Sequence, residues 1–592
     1  MILKLECTRI SFCLCAIFVL GGILMKKLLA LILILTLLVG CTQTSAPASS
    51  DITDISSIDT LSINATSTDT SSVEAVVETS SETTTTSTAS NVSKIQNTTS
   101  KTTAKPVVNE PSYAKAGGTI PTGATYTVKA TGKVLKAGEK MPLKPADGDK
   151  FAYGDYTYSY FASLRCSIPN KEYFLYDGWS VYANDKEKTK YGAICEKING
   201  YYLKLMNSTF SKCSKLVESP TIPDTVEKMV DAYYNAKALK KMPTLPKNLK
   251  FLEYSFMGCS ALETMTQIPD GVISLEYAFC NCTSLKDASN VSLPSKLEQP
   301  LYAFAGCSSL EKAPKISAGT KNIAYVFYGC SALKKAPAIP NSVTNMGATF
   351  EECTALIEPP VIPNSVINLS ATFAGCTALK TAPKLSANAE SIRLIFYGCT
   401  SLTTAPTIPA NVTNMDSAFK DCIALKTAPT IPANVANMDS AFKGCIALKT
   451  APTIPSKVKS LRNTFQGCTS IKDASNITIP GNYTDASYMF ADCSALEKAP
   501  KISNGAKQGS HMFYNCTSLK TAPIIPTSFV NIRSMFENCT SLTGTVEINM
   551  NNTYGDDRIF GYTNCFKNVP NPITIIGSSL YKADIAATQT AH

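Results

Sequence analysis

The chain has 592 residues, a formal net charge of +10 and a mean hydropathy of +0.03. That length permits several domains, and a charge this mild does not mark a nucleic-acid binder. Only two histidines occur, His511 and His592, which leaves little material for His-based nucleophilic or zinc chemistry.

In chain order, residues 1–24 are apolar and precede a second start at Met25, so they read as an upstream extension. Residues 25–41 carry Lys26 and Lys27, an apolar run over 28–38 and the ending Leu38-Val39-Gly40-Cys41. A basic flank, a short apolar stretch and a small residue before the cleavage point make a secretory signal peptide. The ending resembles a bacterial lipobox, which implies Cys41 as the acylated first residue of a mature lipoprotein. Each buried CH₂ of acyl chain adds about 0.8 kcal/mol of membrane affinity. The expected localisation is therefore the cell envelope, lipid-anchored in the bilayer and exposed outside the cytoplasm. Residues 42–115 form a Ser/Thr-rich linker with no aromatic residue before Tyr113. Such a segment buries too little apolar surface to offset ordering and is expected to be disordered, with an r.m.s. reach of roughly 45–50 Å.

From 116 to 200 the composition changes. Residues 120–134 and 151–161 alternate at period two, which puts Tyr156, Tyr158 and Tyr160 on one face, and Trp179 opens a further strand. This is a small β-rich domain. It serves as an N-terminal cap that shields the first repeat, or alternatively as an aromatic platform for a glycan.

Between 201 and 545 one unit recurs. The clearest pair is TAPTIPANVTNMDSAFKDCIALK, Thr404 to Lys426, and TAPTIPANVANMDSAFKGCIALK, Thr427 to Lys449. Marker cysteines such as Cys399, Cys422 and Cys445 step by 23 residues, whereas Cys282 to Cys307 and Cys468 to Cys493 are steps of 25. Ala236 stands where one more cysteine would fall. A fixed period of this size means a solenoid, because no turn buries its apolar side alone and stacking supplies a common core. Within a unit, Val435, Met438, Phe442 and Cys445 fall at i, i+3, i+7 and i+10, which predicts a helix of two or three turns. Residues 448–455 read as a strand. Pro452 and its counterparts remove ladder hydrogen bonds, so strands of roughly two to four residues are expected. Phe419, Cys422, Leu425, Phe442, Cys445 and Leu448 are assigned to an inward structural ladder. The fold class is an α/β solenoid with parallel short strands, about 15 turns and about 70 Å long at roughly 4.8 Å per strand pair.

The unit x-x-F-x-x-C-x-x-L…I-P-x-x-V-x-x-M resembles the BspA-like bacterial surface leucine-rich repeats over more than half of the chain. The resemblance implies a solenoid on an envelope-anchored protein, linked to adhesion or host contact, and names no single ligand. A longer period overlies the short one. Residues 286–290 recur at 472–476 and residues 310–317 at 496–503, an offset of 186, so a block of eight repeats was duplicated. The longer repeat replaces Ala-Pro with Ile477-Thr478-Ile479-Pro480, a better strand. Residues 546–592 break the period, keep a trace of it at Cys565-Phe566, offer a last strand at 573–576 and read as the C-terminal cap.

Three sets of residues are candidates for chemistry. The repeat cysteines are read first as packed thiols, since stacked, parallel Cβ vectors suit disulfide geometry poorly. Occasional disulfides and metal binding are the lesser readings. Asn322, Asn345, Asn368, Asn414, Asn437 and Asn531 share one repeat position and are read as bonding the turn backbone. Lysines recur after the inward leucine, and Lys312, Lys335, Lys380, Lys426, Lys449, Lys498 and Lys520 are expected to form a basic stripe along one edge. Such a stripe solvates and guards a sheet edge or attracts an acidic partner. No nucleophile elbow, zinc helix, phosphate loop or carboxylate pair stands out, so no catalytic residue, metal or cofactor is assigned and the chain is read as a non-enzyme. The expected function is a surface binding or adhesion module for a protein, or for an acidic glycan or glycoprotein, with no nucleic acid. The alternative is a structural envelope or wall-spacing protein.

Overall fold

A computed structural model describes residues 110–168, 171–482, 484–550 and 561–589. All of them belong to one compact unit, residues 103–592. The upstream extension, the leader with Cys41 and nearly all of the linker lie outside the described residues.

The period-two aromatic stretches build a sheet. Its strands are β1 (Thr125–Thr127), β2 (Val134–Leu135), β3 (Lys150–Tyr153), β4 (Tyr156–Ile168), β5 (Lys171–Ala183), β6 (Lys197–Ile198) and β7 (Tyr201–Leu205), in the order β2-β1-β3-β4-β5-β7-β6. Side chains two apart share a face, and here that face is core: Tyr156, Tyr158, Tyr160 and Trp179 are all buried. Their polar atoms are satisfied inside. Tyr158 Oη accepts the Cys195 N–H at 2.8 Å, and Trp179 Nε1–H donates to the Ile198 carbonyl at 2.9 Å. The platform reading is thereby corrected, because rings so buried present no face to a ligand. β5 pairs in parallel with β7 through Trp179 and Leu203. From β7 the pairing continues as bridges, Leu205 to Lys228, Lys228 to Phe251 and Phe251 to Ser274. The sheet thus runs directly into the first coils.

The coils are solenoid-like and share a core that extends without a break from Ile120 to Ile585. Consecutive phenylalanines stack, with Phe396–Phe419, Phe419–Phe442 and Phe442–Phe465 centroids 5.6, 5.5 and 5.7 Å apart. Burying each such ring contributes about 1.5–3 kcal/mol.

The expected helix does not form. Among the described residues the one α-helix is α1 (Lys582–Ala587), near the C-terminus. The reason lies in the backbone between Met415 and Cys422. The N–H groups of Met415, Ser417, Phe419 and Asp421 donate to the carbonyls of Asn437, Asp439, Ala441 and Lys443 in the next coil, at 2.9, 2.8, 2.8 and 2.7 Å. The intervening N–H groups of Ala418, Lys420 and Cys422 close four-residue turns onto the carbonyls of Met415, Ser417 and Phe419. A helix would return every N–H four residues back; here alternate donors leave the coil. Ser417 at φ 55° and Asp421 at φ 60° enforce this, since a right-handed helix cannot pass through left-handed residues. The apolar spacing that suggests a helix arises instead from a chain of tight turns with one inward face.

The strands are shorter than expected in most coils. Pairing reduces to single parallel bridges in two columns, Thr381–Thr404–Thr427 and Asn414–Asn437–Ser460. Proline two residues after each bridging threonine, as in Pro406, supplies no N–H to extend the ladder. Where Ile-Thr-Ile-Pro replaces Ala-Pro, β8 (Thr478–Ile479) forms and pairs in parallel with β9 (Lys501–Ile502). At the C-terminal end β10 (Gly544–Glu547) pairs in parallel with β11 (Ile573–Ile576). Phe566 stacks on Phe536 at 5.3 Å.

Candidate functional site

The inward ladder fixes everything outside it. Phe419, Cys422, Leu425, Phe442, Cys445 and Leu448 are all fully buried. The repeat cysteines from Cys213 to Cys565 are buried free thiols. Burial pushes the Cys445 thiol up to about 12, with a smaller opposing effect from the Cys422 backbone. These thiols are neutral, packed and hydrogen-bonded, and Cys445 Sγ donates to the Phe419 carbonyl at 3.1 Å. Among the described residues no group of three or more His, Cys, Asp or Glu is placed to hold a metal.

The asparagine column bonds the turn backbone. Asn345, Asn368, Asn414 and Asn437 Oδ1 accept the N–H two residues on, at 2.9, 3.0, 2.9 and 2.8 Å. Asn322 and Asn531 do the same at 3.0 Å. Asn368 Nδ2 also donates to Asn345 Oδ1 at 3.0 Å, which ties one coil to its neighbour.

The expected basic stripe needs correction. It is two columns rather than one: Lys380, Lys426, Lys449 and Lys520 directly follow the inward leucine, whereas Lys312, Lys335 and Lys498 stand one residue further. Four of the seven are matched by a carboxylate from an adjacent coil. Lys312 meets Asp287 at 2.8 Å, Lys335 meets Glu358 at 2.7 Å, Lys498 meets Asp473 at 3.1 Å and Lys520 meets Glu497 at 2.5 Å. Lys312 and then Ser289 draw the Asp287 carboxyl down to about 2. Ser475 and then Lys498 do the same for Asp473. Lys380, Lys426 and Lys449 have no ion pair among the described residues. They occupy consecutive or near-consecutive coils, joined by backbone hydrogen bonds from Thr403 to Lys380, Lys426 to Thr403 and Lys449 to Lys426 at 3.2, 3.3 and 3.4 Å. Beside them Ile423 and Ile446 are 42% and 47% exposed. The bridging column at their flank is Thr381, Thr404 and Thr427, which brings no charge. The arrangement is a short cationic edge with apolar contacts, free of the carboxylates that neutralise its two continuations.

Sequence reasoning passed over a second surface feature. Tyr254, Tyr277, Tyr302 and Tyr325 stack in consecutive coils with centroids 5.1, 4.5 and 4.5 Å apart. Their steps of 23, 25 and 23 residues were the available signal.

The repeat is matched by a family model. The family model described as BspA type leucine rich repeat region (6 copies) matches residues 203–334, 250–380, 348–472, 393–499 and 471–586. No curated protein matches the chain. Among solved structures, a leucine-rich repeat protein from Bacteroides ovatus is 19% identical, with a TM-score of 0.41, over 72% of this chain and 99% of its own. A leucine rich cell surface protein from Faecalibacterium prausnitzii is 20% identical, with a TM-score of 0.37, over 76% and 99%. The pneumococcal vaccine antigen PcpA is 14% identical, with a TM-score of 0.36, over 73% and 99%.

Proposed function

Because the chain belongs to the BspA-type leucine-rich repeat family, we propose that it is a cell-surface binding module that holds an acidic macromolecule, a protein or glycoprotein, on the edge around Lys380, Lys426 and Lys449. The observation that carries this reading is a contrast within one edge. Lys312, Lys335, Lys498 and Lys520 each meet a carboxylate, and among the described residues Lys380, Lys426 and Lys449 do not. Uncompensated cations on a fixed spacing attract and orient an acidic partner. The exposed Ile423 and Ile446 add apolar contact beside the charge.

In the same reading Cys41 carries the lipid, the linker over 42–115 holds the repeats of 201–545 away from the bilayer, and residues 116–200 and 546–592 close the two ends of a stack of about 15 coils. The resemblance of the leader ending to a lipobox supports the anchor, and the aromatic-free composition of the linker supports the spacing.

The test is binding to immobilised mucin glycoprotein before and after sialidase treatment, with Lys380→Glu, Lys426→Glu and Lys449→Glu combined. The triple variant should lose at least 10-fold in affinity, and Lys520→Glu should lose far less. Equal binding by the triple variant and the parent chain would sink the proposal. The four self-neutralised lysines favour a second reading, a wall-spacing protein. A deletion strain with altered cell shape and normal attachment would support that one.

A further inference from the structure

The residue two positions after the inward methionine or leucine has positive φ in coil after coil, and several coils place a small side chain there, among them Ala348, Ala371, Ser417 and Ser440. Two groups of coils place aromatic rings instead. Tyr302 and Tyr325 have φ of 55° and 60°, and Tyr488 and His511 have φ of 57° and 56°. Bulky side chains are costly in this backbone region. The fold does not require them, because the neighbouring coils form the same turn with alanine or serine.

The two groups are equivalent. Tyr302, Tyr325 and Tyr328 stand 186 residues before Tyr488, His511 and Tyr514, the offset of the duplicated block. Their geometry matches as well. Tyr325 stacks on Tyr302 at 4.5 Å and 8°, with Tyr328 tilted 53° beside it at 6.4 Å. His511 stacks on Tyr488 at 4.4 Å and 5°, with Tyr514 tilted 59° at 5.7 Å. The duplicated block did not keep its aromatics in this column indiscriminately, since Tyr254 and Tyr277 correspond to Ser440 and Asn463.

Each group ends in an open step. The coil after Tyr325 presents Ala348, and the coil after His511 presents Ser534. Among the described residues no ring covers the outer face of Tyr325 or of His511, and Tyr325 is 37% exposed. A carboxyl flanks each step: Glu351 acts on Tyr328, and its counterpart Glu537 acts on His511. The charged groups at the two notches differ. Burial and then Glu352 push the Glu351 carboxyl up to about 7, so it is only partly ionised at neutral pH. Lys567 lies 4.0 Å from Glu537, and Arg533 is near His511.

A ring face with a tilted ring as wall and polar oxygen at the rim suits a hydroxyl-rich ring, which stacks its C–H face and donates hydrogen bonds from its edge. We propose that the Tyr325 and His511 notches bind pyranose rings of one neutral glycan chain, as two equivalent subsites eight coils apart. At roughly 4.8 Å per coil the subsites are about 38 Å apart along the stack. This surface is separate from the lysine edge and does not depend on it. Two linked weak sites bind a long polymer far more tightly than a short oligosaccharide.

Affinity electrophoresis of the full chain in gels containing dextran, yeast mannan, barley β-glucan or soluble starch tests this. At least one polymer should retard the protein, and its hexasaccharide should compete only at about 10-fold or more higher sugar concentration. Tyr325→Ala or His511→Ser alone should weaken retardation about 10-fold, and the two together should abolish it. These substitutions install what neighbouring coils already carry, so unchanged thermal melting will verify the fold. The proposal is overturned if no polymer retards the parent chain or if the double variant is retarded as the parent is. It is equally overturned if poly-L-lysine, and none of the glycans, binds in a manner lost in the double variant.

Discussion

The Cys445 thiol donates to the Phe419 carbonyl at 3.1 Å, the same oxygen that accepts the Cys422 N–H at 3.1 Å. One turn carbonyl therefore closes its own coil and receives the next. The relationship recurs, with Cys422 on Phe396 and Cys468 on Phe442, both at 3.1 Å. Cysteine suits the position because it is small enough for the core and still carries a donor. Cys445→Ala should destabilise by about 1 kcal/mol through loss of that bond, and Cys445→Ser should lose less because its hydroxyl can replace the donor. Hydrogen exchange at the Phe442 and Cys445 amides will read the difference. Equal losses in the two variants would show that volume, and not the S–H donor, is what the site selects.

The same thiols make the fold sensitive to alkali. Burial pushes Cys399, Cys445 and Cys539 up to about 12, and raises the Tyr156 and Tyr158 hydroxyls further still. A cysteine of the unfolded chain ionises near pH ~8.5–9. Above that pH the unfolded state releases protons that the folded state retains, so stability falls with rising pH. Below it the contribution is constant. Urea titrations at pH 7, 8, 9 and 10 should show a flat midpoint up to about pH 8 and a progressive fall beyond it. Native-state labelling with a maleimide at neutral pH should leave the repeat cysteines from Cys213 to Cys565 unmodified, and denaturation should expose them.

At Gly444 the previous coil's side chain fills the space of a Cβ. Gly444 has φ +74°, and a Cβ there would overlap the Asp421 carboxylate. Gly444→Ala should cost about 1–2 kcal/mol for the backbone alone, and more while Asp421 is present. In Asp421→Ala the same substitution should cost only the backbone part. A double-mutant cycle measured by denaturant unfolding gives the coupling, and a coupling of zero would remove the steric claim.

The asparagine column should respond to loss of its acceptor. Asn437 Oδ1 takes the Asp439 N–H at 2.8 Å, and Asn437 bridges both Asn414 and Ser460. Asn437→Ala should destabilise by roughly 0.5–1.5 kcal/mol, and Asn437→Asp, which keeps the acceptor, should recover most of it. Thermal melting compared across the three chains decides the matter.

What could be read beforehand followed from period and burial. Phe442, Cys445 and Leu448 recur with the step, and a residue type that repeats in every coil while staying apolar has to face the shared interior. The strand over 573–576 and the better strand at Thr478–Ile479 were legible because β-branched residues stand there without Ala-Pro. The helix was misread because spacing records only which residues face inward. It does not record the sign of φ at Ser440 or Ser417, where tyrosine, alanine, leucine and serine all occur among the coils. The lysine edge was misread because its charge partners, such as Asp287 for Lys312, stand at the same repeat position a full coil away, where a count of lysines alone passes over them. The tyrosine column was visible at its spacing, and an aromatic at a position held by alanine or serine in several other coils was the clue.

Phe419 to Ala441, Ser417 to Asp439 and Met415 to Asn437 are bonds made by each coil to its successor. A coil therefore carries on one flank the complement of what it carries on the other. Unequal recombination between the near-identical segments 404–426 and 427–449 would insert or excise one unit and leave every donor opposite an acceptor. The reach of this molecule is thus a heritable quantity that changes in whole increments, and lineages should differ in it by integer numbers of rungs.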